Sequence, residues 1–457
     1  MPNIKLLPHQ EEAKRRLKNQ HGLILSWEVG SGKTLGAIAA ADQFGSTSVV
    51  VPASLRENFK HELKTFKSKN KFEVKSYERF VKDKEDLSNK TVIFDEAHAL
   101  KTPDSQRSRS AQKLSRQAKK VVLLSGTPIQ DKPSDVSSLV NIAAGHQVLP
   151  SSRKAFDEKY LTHIKTDPGI ILRTLGFKKR DEYVPKNLND FAAKAKPYFM
   201  NYTPAESSDA PKVRHFNVDV QMSPTQQAVY HVLEKQLPGD LRKSIEESLP
   251  AGKKNISTLN RFLSATRQVS NSSDKFYSPN GKEYSPKLLN IAKIVSKSPG
   301  KSLIYSDYLE SGVTPLSELL TAKEIKHGIF TGGMNDKDRK KLVSDYNANK
   351  LKALIVSSAG GQGLSLKGTR SVHIANPYWN NEKINQVVGR AIRLNSHTHL
   401  PLKDRTVDVY KYRSVLPEQR SGFLWMNKTR PISTDQYLEN VSDKKQKLNK
   451  AFLDVLK

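Results

Sequence analysis

The sequence predicts an α/β protein of two tandem parallel-sheet lobes with a mostly helical connector. Three observations carry that prediction. Short β-branched runs, each followed by a helix-like segment, recur in the first third of the chain and again in the last third. A glycine-rich loop lies directly between the first such run and its helix. The middle stretch is instead rich in Lys, Ser, Asn and Pro, with few strand signals. Short apolar strands alternating with helices favour buried parallel sheets built from right-handed crossover units. The expected division is a first lobe over residues 1–145, a helical connector over 146–285, a second lobe over 286–430 and a C-terminal helix over 431–457.

In chain order, the first lobe draws its strands from Leu23–Ser26, Ser48–Val51, Thr91–Phe94 and Val121–Leu124. The connector contains Thr225–Leu237, where Val229, Val232 and Leu233 fall at helical spacing. Pro238-Gly239 and Pro250-Ala-Gly252 punctuate it. The second lobe repeats the rhythm with Ser302–Tyr305, Ala353–Val356, Ser371–Ile374 and Thr406–Val409. Ser433-Thr-Asp then opens an amphipathic segment through Tyr437, Leu438, Val441, Leu448, Phe452 and Leu453, which packs on a lobe or receives a partner.

A chain of 457 residues is too long for one ordinary core. The formal charge of +30 points to a polyanionic partner, since clustered cations gain affinity by releasing counterions from phosphate backbones. Simple solubility is the plainer alternative. The clusters are Lys60, Lys64, Lys67, Lys69, Lys71 and Lys75, then Lys178, Lys179 and Arg180. None has a strongly apolar opposite face, so nucleic acid is favoured over a membrane surface. The absence of cysteine excludes disulfides, zinc knuckles and thiol catalysis, and suits an intracellular, reducing compartment. No apolar run reaches the roughly 18 residues of a membrane span, and Met1–Leu6 lacks the core of a secretory signal.

Gly30-Ser31-Gly32-Lys33-Thr34 follows a strand and opens a helix, the context that makes a phosphate-binding loop credible. Its glycines let backbone N–H groups crowd around phosphate oxygens, helped by the helix N-terminus. Lys33 is suited to the β- and γ-phosphates of ATP, and Thr34 to Mg²⁺. The strict pattern wants a glycine where this chain has Trp27. Downstream, Asp95-Glu96-Ala97-His98 ends the run Val92-Ile-Phe. There Asp95 can orient the hydration of Mg²⁺, Glu96 can polarise the attacking water, and His98 can couple that chemistry onward.

With these motifs in place the chain resembles the superfamily 2 helicases, whose lobes are RecA-like, and within them the Swi/Snf-type ATPases. Leu7-Pro-His-Gln10 is similar to the upstream motif whose glutamine reads adenine. Val49–Asn58, with Ser54, resembles a nucleic-acid-contacting segment, and Leu124-Ser-Gly-Thr-Pro-Ile-Gln130 the segment coupling hydrolysis to movement. In the second lobe Thr331-Gly332, Ser358 and Trp379 stand where the family touches nucleic acid, Gly363 and Gln386 where it meets nucleotide. Gln386–Arg393 is similar to its arginine motif, which implies that Arg390 and Arg393 stabilise charge on the γ-phosphate. Gly389–Pro401, with Ser396-His397, looks closer to the ATPases of large nucleocytoplasmic DNA viruses, such as the nucleoside triphosphate phosphohydrolase I group. The likeness thins in the connector, where Tyr198–Tyr202 stands near the expected place of an arginine-rich element.

The resemblance therefore implies an ATP- and Mg²⁺-using motor that translocates on nucleic acid, most simply duplex DNA, in transcription or in displacing bound complexes. An RNA polymerase or other transcription complex is the partner it suggests, in the cytoplasm or nucleus, or in a virion or viral factory if the chain is viral. Two alternatives stay open: a helicase that separates DNA or RNA strands, and a non-catalytic DNA-binding assembly subunit. Intact Lys33, Asp95, Glu96, Arg390 and Arg393 argue against the last.

Overall fold

The computed structural model describes residues 5–457 except 29, 69, 84, 167–179, 204–209, 250–254, 278–280, 358–363, 378–380, 394, 422–426 and 430. The chain divides into two compact units, one of Met1–Lys165, Glu182–Glu206 and Lys445–Lys457, the other of Thr166–Asp181 and Ser207–Lys444.

The first unit is built on a six-stranded sheet of β1 (Gly22–Trp27), β2 (Thr47–Val51), β3 (Phe72–Ser76), β4 (Thr91–Phe94), β5 (Lys120–Ser125) and β8 (Phe199–Tyr202), in the order β3-β2-β4-β5-β1-β8. Every pairing is parallel. A parallel sheet needs cover on both faces, and alternation along each strand provides for it. Ile24, Val50, Val92, Phe94, Val121 and Leu123 pack toward the helices Gln106–Ser115 and Asp135–Ala144. Leu23, Leu25, Val49, Val51, Ile93 and Leu124 pack toward Pro8–Asn19 and Lys33–Asp42. A separate two-stranded sheet joins β6 (Leu161–Thr166) and β7 (Arg180–Pro185).

The second unit's sheet comprises β9 (Lys212–Gln221), β10 (Lys301–Ser306), β11 (His327–Phe330), β12 (Ala353–Ser357), β13 (Thr369–Ile374) and β14 (Thr406–Val415), ordered β11-β12-β10-β13-β14-β9 and again all parallel. Leu303, Tyr305, Leu354, Val372 and Val407 pack with Ile384, Val387 and Val388 of the helix Asn381–Ala391. On the opposite face Ile304, Ile355 and Tyr412 meet Leu288, Ile291 and Val295 of Pro286–Lys297. Short strands β15 (Gln419–Ser421) and β16 (Asn427–Thr429) pair antiparallel.

All eight strands expected from the β-branched runs are present, and the fold is the expected pair of parallel-sheet lobes. The stretch 146–285 differs from the helical connector expected of it. It does hold the helices Pro224–Lys235, Gly239–Glu246 and Ile256–Val269, whose Tyr230, Leu241, Ile245 and Leu263 share a core with Tyr437, Leu438 and Val441. It also lends β8 to the first sheet and β9 to the second. The last helix, Thr434–Asp454, counts to the second unit through Lys444 and to the first beyond it, where Phe452 joins the first unit's core. Its N-terminal Asp435 is wholly buried against Lys287, 3.2 Å away, and accepts the Ser414 N–H at 2.9 Å. No described helix is long and apolar enough to cross a membrane.

Candidate nucleotide and nucleic-acid site

Because the first sheet is wholly parallel, the C-terminal ends of β1, β2, β4, β5 and β8 lie along one edge, where doubly wound folds take ligands. The phosphate loop leaves β1 there. Gly30 and Gly32 adopt left-handed backbone angles, φ 88° and 74°, which a side chain would resist. A Cβ at Gly32 would also stand 2.5 Å from Gln10 Nε2. The turn feeds the helix Lys33–Asp42, whose N-terminal N–H groups and dipole suit an anion. Lys33 Nζ donates to Trp27 O at 2.6 Å, and a Cβ at Gly126 would lie 3.5 Å from it, so the segment after β5 stands beside the ammonium. Trp27, in place of the usual glycine, ends β1 fully buried. Its ring occupies the space that a Cβ at Gly36 would need.

Asp95 and Glu96 follow β4. Asp95 Oδ1 accepts the Glu96 N–H at 2.9 Å, and Tyr77 Oη donates to Asp95 O at 2.8 Å. Burial of the carboxyl, and then the Glu96 charge, push Asp95 up to about 7, while the Glu96 N–H, Lys33 and His98 oppose the shift. Glu96 holds a left-handed φ of 49°, and its Oε2 lies 3.3 Å from His98 Nδ1. The Thr34 hydroxyl and Asp95 carboxylate fit a Mg²⁺ ion, which takes one or two protein oxygens and leaves its other positions to water and phosphate. Such an ion would draw Asp95 back to its ionised form and screen phosphate charge.

Lys101 and Asp135 are contributors that the sequence does not reveal. Lys101 donates to Gln130 Oε1 at 3.0 Å and pairs with Asp131, tying the loop after β4 to the one after β5. Asp135 Oδ2 accepts the N–H groups of Gln130, Asp131 and Lys132. Gln10 bridges backbone, its Oε1 accepting the Leu7 N–H at 2.8 Å and its Nε2 donating to Gly32 O at 3.2 Å. Ser54 is exposed on the turn Ala53–Leu55 that follows β2.

In the second unit Arg390 ends the helix Asn381–Ala391, with Gln386 one turn earlier. Arg393 lies beyond that helix. Burial, and then Arg390, push the Arg393 guanidinium down to about 10, and its Nε is buried without a hydrogen-bond partner. An unsatisfied buried donor is costly, so the group suits an incoming anion. The Ser396-His397 run fixes this corner. The Ser396 N–H donates to Arg393 O at 3.0 Å and His397 Nε2 donates to Thr369 O at 2.6 Å. His397 is buried with both ring nitrogens taken, Nδ1 by Ser396 Oγ at 2.8 Å and Nε2 by Thr369 O. Arg267 donates to Asp307 at 2.6 Å and to Pro377 O at 2.8 Å, and Asn271 exchanges amide hydrogen bonds with Asn376. Thr331 and Gly332 follow β11, and Gly332 O accepts from Arg339 at 2.7 Å.

Ser358, Gly363 and Trp379, with Lys69, Lys178 and Lys179, lie outside the described residues. Lys75 does not belong to a surface cluster. It is buried, with Glu85 at 2.7 Å and Glu73 at 3.2 Å.

The SNF2-related domain family matches residues 71–275, and the helicase conserved C-terminal domain residues 286–395. The Type III restriction enzyme res subunit family matches residues 3–116. L538 of Acanthamoeba polyphaga mimivirus, which bears an ATP-dependent RNA helicase name, is 31% identical over 98% of this chain and 96% of its own. The chain belongs to the SNF2-related helicase family. The Termination factor NPH-I homolog of an African swine fever virus isolate is 23% identical over 96% of this chain and 76% of its own. The SWI2/SNF2 ATPase core of Sulfolobus solfataricus, in complex with dsDNA, aligns at a TM-score of 0.39 with 20% identity over 90% of this chain and 88% of that one. As a family member the protein is an ATP-hydrolysing enzyme with a nucleic-acid partner.

Proposed function

We propose that the protein is a nucleic-acid-stimulated ATPase motor that translocates on double-stranded DNA, in transcription or in displacing bound complexes. The observation that carries the reading is the edge of the first sheet, where Lys33 and Thr34 follow β1 and Asp95 and Glu96 follow β4, the two parallel strands that flank β5. In this reading Gly30–Thr34 wraps the phosphates and Lys33 turns from Trp27 O to the β- and γ-oxygens. Thr34 and Asp95 hold Mg²⁺. Glu96 takes a proton from the attacking water, oriented with His98. Arg390 and Arg393 supply positive charge to the γ-phosphate as it leaves. Gln10 and Gln386 complete the nucleotide contacts together with Gly363, while Ser54, Thr331, Gly332, Ser358 and Trp379 grip the nucleic-acid backbone. Backbone grip reads little sequence, so a partner such as an RNA polymerase supplies the address. The NPH-I name of the viral relative supports a transcriptional setting.

The second reading, a strand-separating helicase, is favoured by the RNA helicase name of L538. ATP turnover with duplex DNA, single-stranded DNA and RNA across a salt series separates the two. Stimulation by duplex DNA without strand separation supports the translocase; stimulation mainly by single strands or RNA overturns it. Glu96→Gln should lower kcat on the order of a hundredfold or more while leaving nucleotide binding in place. Turnover unchanged in that variant would remove Glu96 from the chemistry.

A further inference from the structure

We propose that Tyr202, acting through His9, is a positioning residue that holds the phosphate loop in its receptive shape. The inference rests on the nucleotide-site reading above and deepens it.

A loop that presents N–H groups to phosphate must turn its carbonyls elsewhere and have them satisfied. Here two successive carbonyls are taken by neighbouring residues of the first helical turn. His9 Nε2 donates to Ser31 O at 2.9 Å, and Gln10 Nε2 to Gly32 O at 3.2 Å. An imidazole donor is only as well aimed as its ring is fixed. The His9 ring is stacked on Tyr202, with centroids 3.6 Å apart and planes 12° from parallel, and the edge of Trp27 closes it at 4.6 Å. That arrangement selects the tautomer with the proton on Nε2.

The same strand end holds the other side of the loop. Tyr202 O accepts the Glu28 N–H at 3.1 Å, and the Thr203 hydroxyl donates to Glu28 Oε1 at 3.1 Å. Glu28 O in turn accepts from Ser31, by its N–H at 3.3 Å and its hydroxyl at 2.7 Å. Tyr202 thus secures the loop's entry by its backbone and the Ser31 carbonyl by its ring. β8 and His9 thus bear on the loop through Glu28 and Ser31.

The test is steady-state ATP hydrolysis by the full chain at saturating nucleic acid, with thermal melting alongside. Tyr202→Leu should raise KM for ATP by about tenfold, the upper end of what one aromatic contact supplies, with a much smaller change in kcat. Tyr202→Phe keeps the ring and should restore wild-type KM. His9→Phe keeps the stack but loses the donor, so it should raise KM as well, and the double variant should be no worse than the poorer single. If Tyr202→Leu fails to fold, His9→Asn, which keeps a donor without the stack, gives the same reading. A lowered melting temperature with KM unchanged, or additive effects in the double variant, overturns the inference. Failure of the underlying nucleotide-site reading looks different: Lys33→Ala would then hydrolyse ATP as well as wild type.

Discussion

β8 and β9 follow one another in the chain yet join different sheets. β8 is four residues long, starts buried and pairs with β1, the strand that carries the phosphate loop. β9 runs for ten residues along the margin of the second sheet, paired over its whole length with β14 and exposed at seven of its positions. The difference lies in their neighbours more than in their own sequences. Beside β1, a tyrosine ring and one carbonyl become parts of a binding loop. Beside β14, comparable residues make a seam: Arg214 forms a two-pronged pair with Asp408 at 2.7 and 2.8 Å, and Phe216 stacks on Tyr410 at 5.1 Å.

Matched phenylalanines give the largest test of that contrast. Phe199 of β8 is 3% exposed within the first unit's core, whereas Phe216 of β9 is 38% exposed. Phe199→Ala should cost about 3–5 kcal/mol of stability, and Phe216→Ala about 1 kcal/mol or less, read from urea midpoints at constant m-value. Similar losses from the two would erase the distinction.

The second test is acidification. His373 of β13 is fully buried, stacked on Tyr410 at 5.1 Å, with Nδ1 2.9 Å from Tyr412 Oη and Nε2 3.0 Å from Ser371 Oγ. Burial pushes it down to about 3, below the ordinary histidine value near 6.5. As pH falls, the unfolded chain takes the proton first. The stabilisation is therefore complete above about 6.5 and is lost toward 3, by up to about 1.4 kcal/mol per pH unit. Unfolding titrations between pH 7 and 4 should show that slope in wild type and a shallower one in His373→Gln. Parallel slopes would mean that His373 is not the titrating group.

The smallest effect belongs to the seam's ion pair. Arg214 is 61% exposed, so Arg214→Ala should cost about 0.2–1 kcal/mol and leave ATP turnover within experimental scatter. A marked fall in turnover would give β9 a functional weight that its geometry does not suggest.

What the sequence made legible follows the same divide. Gly30–Thr34 and Asp95-Glu96 were readable because short-range pattern alone places them, a strand ending in a tight turn or in charge. Tyr202 was not, because Phe199–Tyr202 is too short to show a period, and its partners His9 and Glu28 are remote in the chain. β9 hid for a related reason: Lys212–Gln221 alternates weakly and sits in a lysine-rich stretch that reads as connector. Lys75 looked like one more cation of a patch, since nothing in the sequence announces that Glu85 folds back upon it. Arg393 was named from its motif alone, and nothing in the sequence shows that the helix stops at Ala391 before reaching it. Ser396-His397 was noticed as a signature, but its work of clamping the arginine corner to Thr369 requires knowing where β13 passes.

Trp27 gives the molecule an optical property. Its indole is sealed from water, meets His9 edge-on at 4.6 Å and Tyr202 at 6.1 Å, and lies beneath the phosphate loop. An indole in such a dry setting emits toward the blue, and its yield responds to small shifts of a neighbouring imidazole. The difference in emission between wild type and Trp27→Phe is therefore a built-in light signal from the loop as nucleotide arrives and leaves, with no dye attached.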